Sequence, residues 1–304
     1  MTHAPNLEHR LGGFLHRLWE KTFEDDAFFM AGAMAFNLLL AVIPLIVLGV
    51  GVTGYVLSAQ VADPVHAIVA LVQENLPQIA DPEVLTSIVQ PMADGLLNQR
   101  QGLTIVGALV FVWLATRLVG TVRTVLREIF DISEARGLIA GKVFDAGVVV
   151  VGVIFLTLNL GATISMETAV RFGIRFLGLG GPAAGLANRA LSQGVAFTSI
   201  WALFLFVYRY LPARRIPWRT SFVAATFCAV LHESLKWGFS WYVTEAADFT
   251  TTFGNLATVA VLFFWIYYEA TVFIVGGEVA QVYTMRKAAR VQVSSPLHSE
   301  PKEP

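Results

Sequence analysis

Apolar residues in this chain come in long unbroken runs, not in the alternating or one-face spacing of a soluble fold. From Ala27 to Ala62, thirty-six consecutive positions carry no Asp, Glu, Lys, Arg or His. A membrane-spanning helix needs about 20 mostly apolar residues, so this run exceeds one crossing. It predicts a single long helix, tilted or kinked at Pro44, because two helices would need a polar turn between them. Five more runs of spanning length follow. They are 103–122, with Arg117 inside, 146–166, and 190–208, bracketed by Arg189 and Arg209; then 220–244, interrupted by His232, Glu233 and Lys236, and 255–283, carrying Glu269 and Glu278. Phe176–Asn188 is uncharged but short and Gly-rich, and reads as a loop or re-entrant piece. The pattern therefore predicts an all-α, polytopic membrane protein: a bundle of six transmembrane helices, the first over about 27–57, in a membrane domain covering 27–285.

The flanks read differently. Leu7, Leu11, Phe14, Leu15, Leu18 and Trp19 recur at helical spacing between Arg10, Arg17 and Lys21. Residues 1–26 are thus expected to form a cytoplasmic amphipathic helix, lying on the inner leaflet or packed on cytoplasmic loops. This polar start does not have the form of a cleavable signal. In the loop 63–101, Asp63-Pro64 and Asp81-Pro82 each offer an N-cap followed by proline at the first helical position. Two short extracytoplasmic helices are expected there, between spans one and two. Residues 286–304 show no apolar periodicity and are expected to be a disordered cytoplasmic tail.

Composition sharpens this picture. Hydrophobic residues make up 56% and charged residues 14%, against about 25% charged in a soluble domain. A single cysteine, Cys228, excludes an intrachain disulfide framework and a cysteine-based zinc site. A net charge of −1 offers no global basic surface for nucleic acid. Of the 21 Lys and Arg, 16 fall on one set of inter-span connections and 4 on the other. By the positive-inside rule both termini are then cytoplasmic, which requires an even number of spans. Arg171, Arg175 and Arg189, between spans three and four, oppose the rule.

Charges inside a bilayer cost about 2.5–3.5 kcal/mol each, even on the lenient insertion scale. At about 1.5 Å per residue, Glu233 and Glu269 both approach the midplane of a core about 30 Å thick, and Lys236 is one turn from Glu233. His232, Glu233, Lys236 and Glu269 are therefore expected to form one inward-facing cluster. It either holds two helices in register or lines a path for a polar group; the sequence leaves both open. Asn37 in span one has the same two readings, packing or a gate contact. Glu278 falls on the face opposite Glu269 and is expected to pair with a cytoplasmic arginine. Ala27, Ala31 and Ala35, and the stripe Ser221, Ala225, Cys228, His232, Lys236 and Ser240, are expected to face other helices.

Catalytic signatures are missing from the sequence. His232-Glu233 lacks the second histidine of a zincin helix, and there is no P-loop and no G-x-S-x-G. No cofactor, metal or nucleic acid is called for; membrane lipids are the expected partners, and a homo-oligomer is left open.

Three stretches carry a resemblance. AGAMAFNLLLAVIPLIVLGV (31–50), VYRYLPARRIPWR (207–219) and FFWIYYEATVFIVGGEVAQVY (263–283) resemble the signatures of the YihY/BrkB family of bacterial inner-membrane proteins. The resemblance runs over roughly Leu15 to Tyr283. It implies a six-span, all-helical protein of the bacterial inner membrane, with Ala35, Phe36, Pro44, Tyr208, Pro212, Trp218, Trp265, Gly277 and Glu278 as signature positions. It implies no particular reaction. The family carries an old ribonuclease label, which these residues do not support, because the longest cytoplasmic connection is too short for a nuclease domain. The leading expectation is a transporter or a lipid- or amphiphile-handling protein of the cell envelope. A non-catalytic scaffold or assembly factor with structural charge pairs comes second, and a membrane-embedded enzyme third.

Overall fold

The computed structural model describes residues 7–56, 103–134, 137, 139–152, 154, 182–246 and 257–294. All regular structure among them is helical: α1 (Leu7–Glu24), α2 (Ala27–Val56), α3 (Leu103–Ile129), α4 (139–152), α5 (Pro182–Tyr210), α6 (Trp218–Trp241) and α7 (Ala257–Ser294). After α6 comes one π-helical turn, Tyr242–Ala246. The loop 63–101, the third span beyond residue 154 and the first residues of the sixth lie outside the described residues.

Local chemistry sets the boundaries. Asp26, at φ 50°, turns the chain between α1 and α2. Asp131, also at φ 50°, closes α3. There the Ile132 N–H bonds the Arg127 carbonyl at 2.9 Å and the Asp131 N–H bonds the Glu128 carbonyl at 3.0 Å. Those are the two bonds of a Schellman motif, with aspartate where glycine is usual. Pro212 follows the end of α5, and Pro217, at φ −55° and ψ 143°, sits at the N-cap of α6.

Two expectations need correction. Phe176–Asn188 is not a loop throughout: α5 begins at Pro182, since proline suits the first helical position and the alanines that follow favour helix. The tail 286–304 is not disordered from its start: α7 continues to Ser294, because 286–294 contains Lys, Arg and Ala and no breaker before Pro296.

Helix α7 is the central element and packs on α6, α2, α3 and α1, while α2 packs on α3 and α5 on α6. The larger core joins Ala27 and Ala31 to Leu126, Ile129, Tyr208, Cys228 and Ile274. A second gathers Ala35, Phe239, Val261, Trp265 and Ile266. Close approach rests on two glycines. A Cβ at Gly276 would collide with Cys228 Sγ, and one at Gly277 would lie 3.0 Å from Ile129 Cγ2. Outward, Phe28, Phe29, Trp113, Val150, Ile154, Val230, Trp237 and Trp241 are exposed, which is unusual where water is the solvent. Among the described residues, Val259–Lys287 is long and apolar enough to cross a membrane, and Ala27–Ala41 is a shorter apolar helix.

Candidate functional site

The charges near the middle of α6 and α7, in runs 220–244 and 255–283, meet as two pairs, not as one cluster. His232 Nδ1 on α6 lies 2.6 Å from Glu269 Oε1 on α7, and His232 is buried between the rings of Phe204 and Trp265. Lys236 Nζ lies 3.4 Å from each carboxylate oxygen of Glu233, within α6. The split follows from helix geometry: adjacent residues point about 100° apart, so His232 faces α7 while Glu233 faces aside. Lys236, three residues on, leans to Glu233. Asn37 joins neither pair. Its Nδ2 donates to the Ala33 carbonyl at 2.9 Å on its own helix, and its buried Oδ1 accepts nothing among the described residues.

Several signature positions have packing roles. Tyr208, fully buried, donates its hydroxyl proton to the Phe273 carbonyl, lies 3.0 Å from Cys228 Sγ and stacks on Phe273 with ring centroids 4.7 Å apart. Trp265 is buried against Phe239, and Ala35 is buried beside them, whereas Phe36 is exposed. Pro44 falls inside α2 and Pro212 is buried in the turn after α5. Trp218, half exposed, opens α6 beneath the Arg209 guanidinium, whose carbon is 5.0 Å from the indole centroid and whose Nη1 donates to the Ile216 carbonyl.

Glu278 corrects the sequence expectation most sharply. It has no arginine partner among the described contacts; it is fully buried and bonded to Thr22 Oγ1 of α1. The face opposite Glu269 is not a free face, because α1 and α3 cover that end of α7. Around it sits a network absent from the sequence expectations. Lys21 Nζ lies 2.8 Å from Asp25 and 3.4 Å from Asp131, and Gln281 Nε2 donates to Asp131 at 3.0 Å. Burial alone would lower the Lys21 pKa, but the adjoining carboxylates of Asp25 and Asp131 outweigh it and raise it. Burial pushes the Asp25 carboxyl up, with Lys21 pulling against it.

A further pair joins α3 to α4. Asp145 on α4 is buried; Arg123 Nη2 on α3 donates to its Oδ2 at 3.3 Å, and Arg123 Nε lies 3.2 Å from its Oδ1 as an ion-pair contact. Its only sequence signal is an acid just before an apolar run, which reads equally as a solvated loop charge. Between α6 and α7 lies an open cavity of about 440 Å³, walled by Leu231, Leu235, Gly238, Phe239, Tyr242 and Tyr268, with Ser234 and Val272. The Ser234 hydroxyl is already donated to the Val230 carbonyl, so the walls offer mostly carbon.

Comparison with known proteins fits this arrangement. The sequence model of the Virulence factor BrkB family matches residues 18–299. The chain belongs to that family. Similar curated proteins are named UPF0761 membrane protein. One from Alkalilimnicola ehrlichii is 26% identical over 89% of this chain and 58% of its own length. One from Pelodictyon phaeoclathratiforme is 26% identical over 95% and 64%. One from Legionella pneumophila is 23% identical over 91% and 63%. The chain thus spans about three-fifths of the length of the curated relatives it matches. No solved structure matches it. This BrkB-family chain is a membrane protein whose regular structure, among the described residues, is helical.

Proposed function

We propose that this BrkB-family chain crosses the bacterial cytoplasmic membrane six times, with both termini inside, and handles a lipid or other amphiphile of the cell envelope without catalysing a reaction. The groove between α6 and α7 carries this reading. From Leu231 to Tyr242 its α6 wall is about 16 Å long at the helical rise, roughly one leaflet of a 30 Å core. Its apolar walls and open side suit an acyl chain entering from the bilayer. The topology is supported by contacts that gather α1, the end of α3, the α5–α6 turn and the C-terminal half of α7 at one end of the bundle. Most of the Lys and Arg belong to those connections.

Gly238 is the place to test it, because a Cβ there meets nothing within 4 Å. Gly238→Ala should fold at least as well as wild type, gaining about 0.5–1 kcal/mol of helix stability. Gly238→Phe should fold but fill the groove. Native mass spectrometry of the protein released from nanodiscs should then show less retained phospholipid. Equal lipid retention in a folded Gly238→Phe protein would sink the reading.

The pairing of His232 with Glu269 and of Lys236 with Glu233 favours a second reading, a scaffold. Exchanging the pair, Glu233→Lys with Lys236→Glu, separates the two. A scaffold keeps both its membrane level and its cellular phenotype; a protein that moves a polar headgroup past these side chains keeps the first and loses the second.

A further inference from the structure

Hydrogen counting at the joint between α1 and α7 singles out Glu278. The Thr22 hydroxyl has one proton and faces two acceptors: the Leu18 carbonyl, 2.9 Å away, and Glu278 Oε2. A threonine can donate to only one of them. Both contacts are satisfied if Thr22 donates to Leu18 and Glu278, as a carboxylic acid, donates to Thr22. The other oxygen, Oε1, is buried and has no hydrogen-bond partner among the described residues. A carboxylate so placed would be a desolvated charge with a single hydrogen bond, which is costly; a neutral acid is far less so.

The surrounding charges agree. From α1, Lys21 faces this end of the joint, but Asp25 and Asp131 already flank it. One cation against three carboxyls leaves a surplus, and the most buried of the three takes a proton at least cost. That is Glu278, 0% exposed, whereas the Asp131 side chain is 59% exposed. From α3, Glu128 adds negative charge near Asp25. On α6 the charged residue at this end, Arg219, is exposed, and α2 carries no ionisable group of these types. From α5, Tyr208 comes near but gives its proton to Phe273.

We infer that Glu278 is a proton-binding site that latches α1 onto α7: with the proton bound α1 is docked, and with the proton lost α1 releases. Even with the Thr22 hydroxyl turned to it, an ionised Glu278 would keep Oε1 buried without a donor; the charge is solvated only when water reaches Oε1, and α1 lies over that path. Asp25 and Asp26, between α1 and α2, form the natural hinge, with Asp26 at φ 50°. A one-proton latch weakens its docking constant roughly tenfold for each pH unit through the titration. The sign is fixed: the group is neutral when docked and ionises more readily when undocked, so docking is strong in acid and fails as pH rises.

The test is hydrogen–deuterium exchange of the full chain in nanodiscs across pH, corrected for intrinsic rates. Protection of α1 should fall with rising pH while α2 and α7 stay protected. Glu278→Gln, whose amide donates to Thr22 as the acid does, should keep α1 protected throughout. Thr22→Val should expose α1 even in acid, to the level wild type reaches in base. A flat wild-type profile, or an unchanged slope in Glu278→Gln, overturns the latch. Should Glu278→Gln not accumulate, the wild-type slope and Thr22→Val decide alone.

Discussion

Arg123→Ala is expected to destabilise the protein by about 3–5 kcal/mol, the cost of leaving a buried charge without its partner. Asp145 is 1% exposed, and the Arg123 guanidinium is its ion-pair partner. Gly120 and Gly141 leave space for this pair: a Cβ at Gly141 would press on the guanidinium at 3.2 Å, and one at Gly120 would come to 3.5 Å from the carboxylate. Thermal unfolding in detergent should show a large drop in midpoint. The double variant Arg123→Met, Asp145→Leu should recover most of it, because apolar side chains of similar volume often replace a buried pair without loss. If Arg123→Ala unfolds at the wild-type temperature, Asp145 is not held by this pair, and the α3–α4 joint has been misread.

Gly276→Ala should be nearly as damaging. Its Cβ would collide with Cys228 Sγ and lie 3.3 Å from the Tyr208 hydroxyl, so either the buried thiol gives up its place against Tyr208 and α7 or the two helices separate. Overpacking of this kind costs about 1–3 kcal/mol and sometimes more. The sulfur is the nearest obstacle, which makes a second prediction available. Cys228→Ala alone should be mildly destabilising, and Cys228→Ala combined with Gly276→Ala should be more stable than Gly276→Ala alone. That is a coupling between contacting residues, and a double-mutant cycle on unfolding midpoints measures it. Strict additivity of the two changes would show that the helices do not approach as described.

The sequence located most of the helices, because a run of apolar residues of spanning length is a one-dimensional signal. It also marked His232, Glu233, Lys236 and Glu269 as costly. It could not pair them, since pairing depends on how α6 is rotated against α7. The partner of Glu278 is hidden for the same reason: a helical wheel distinguishes two faces but cannot say that both are covered. Thr22, Asp131 and Asp145 carried no usable signal, because a threonine near a helix end and an acid beside a span are ordinary in solvated loops. The apolar runs that define the membrane character are also silent about the groove. Leu231, Leu235 and Tyr268 are apolar or aromatic whether they pack on a neighbour or line a cavity.

What the chain alone determined is its solvent: 56% hydrophobic and 14% charged residues, in runs long enough to cross a bilayer, commit it to helices in lipid. What tertiary structure decided is which polar atoms find each other. Burying a charge is unfavourable by itself, so its partner is chosen by helix rotation, by the close approach that Gly276 and Gly277 permit, and by where α1 folds back. Each of these depends on residues far apart in sequence.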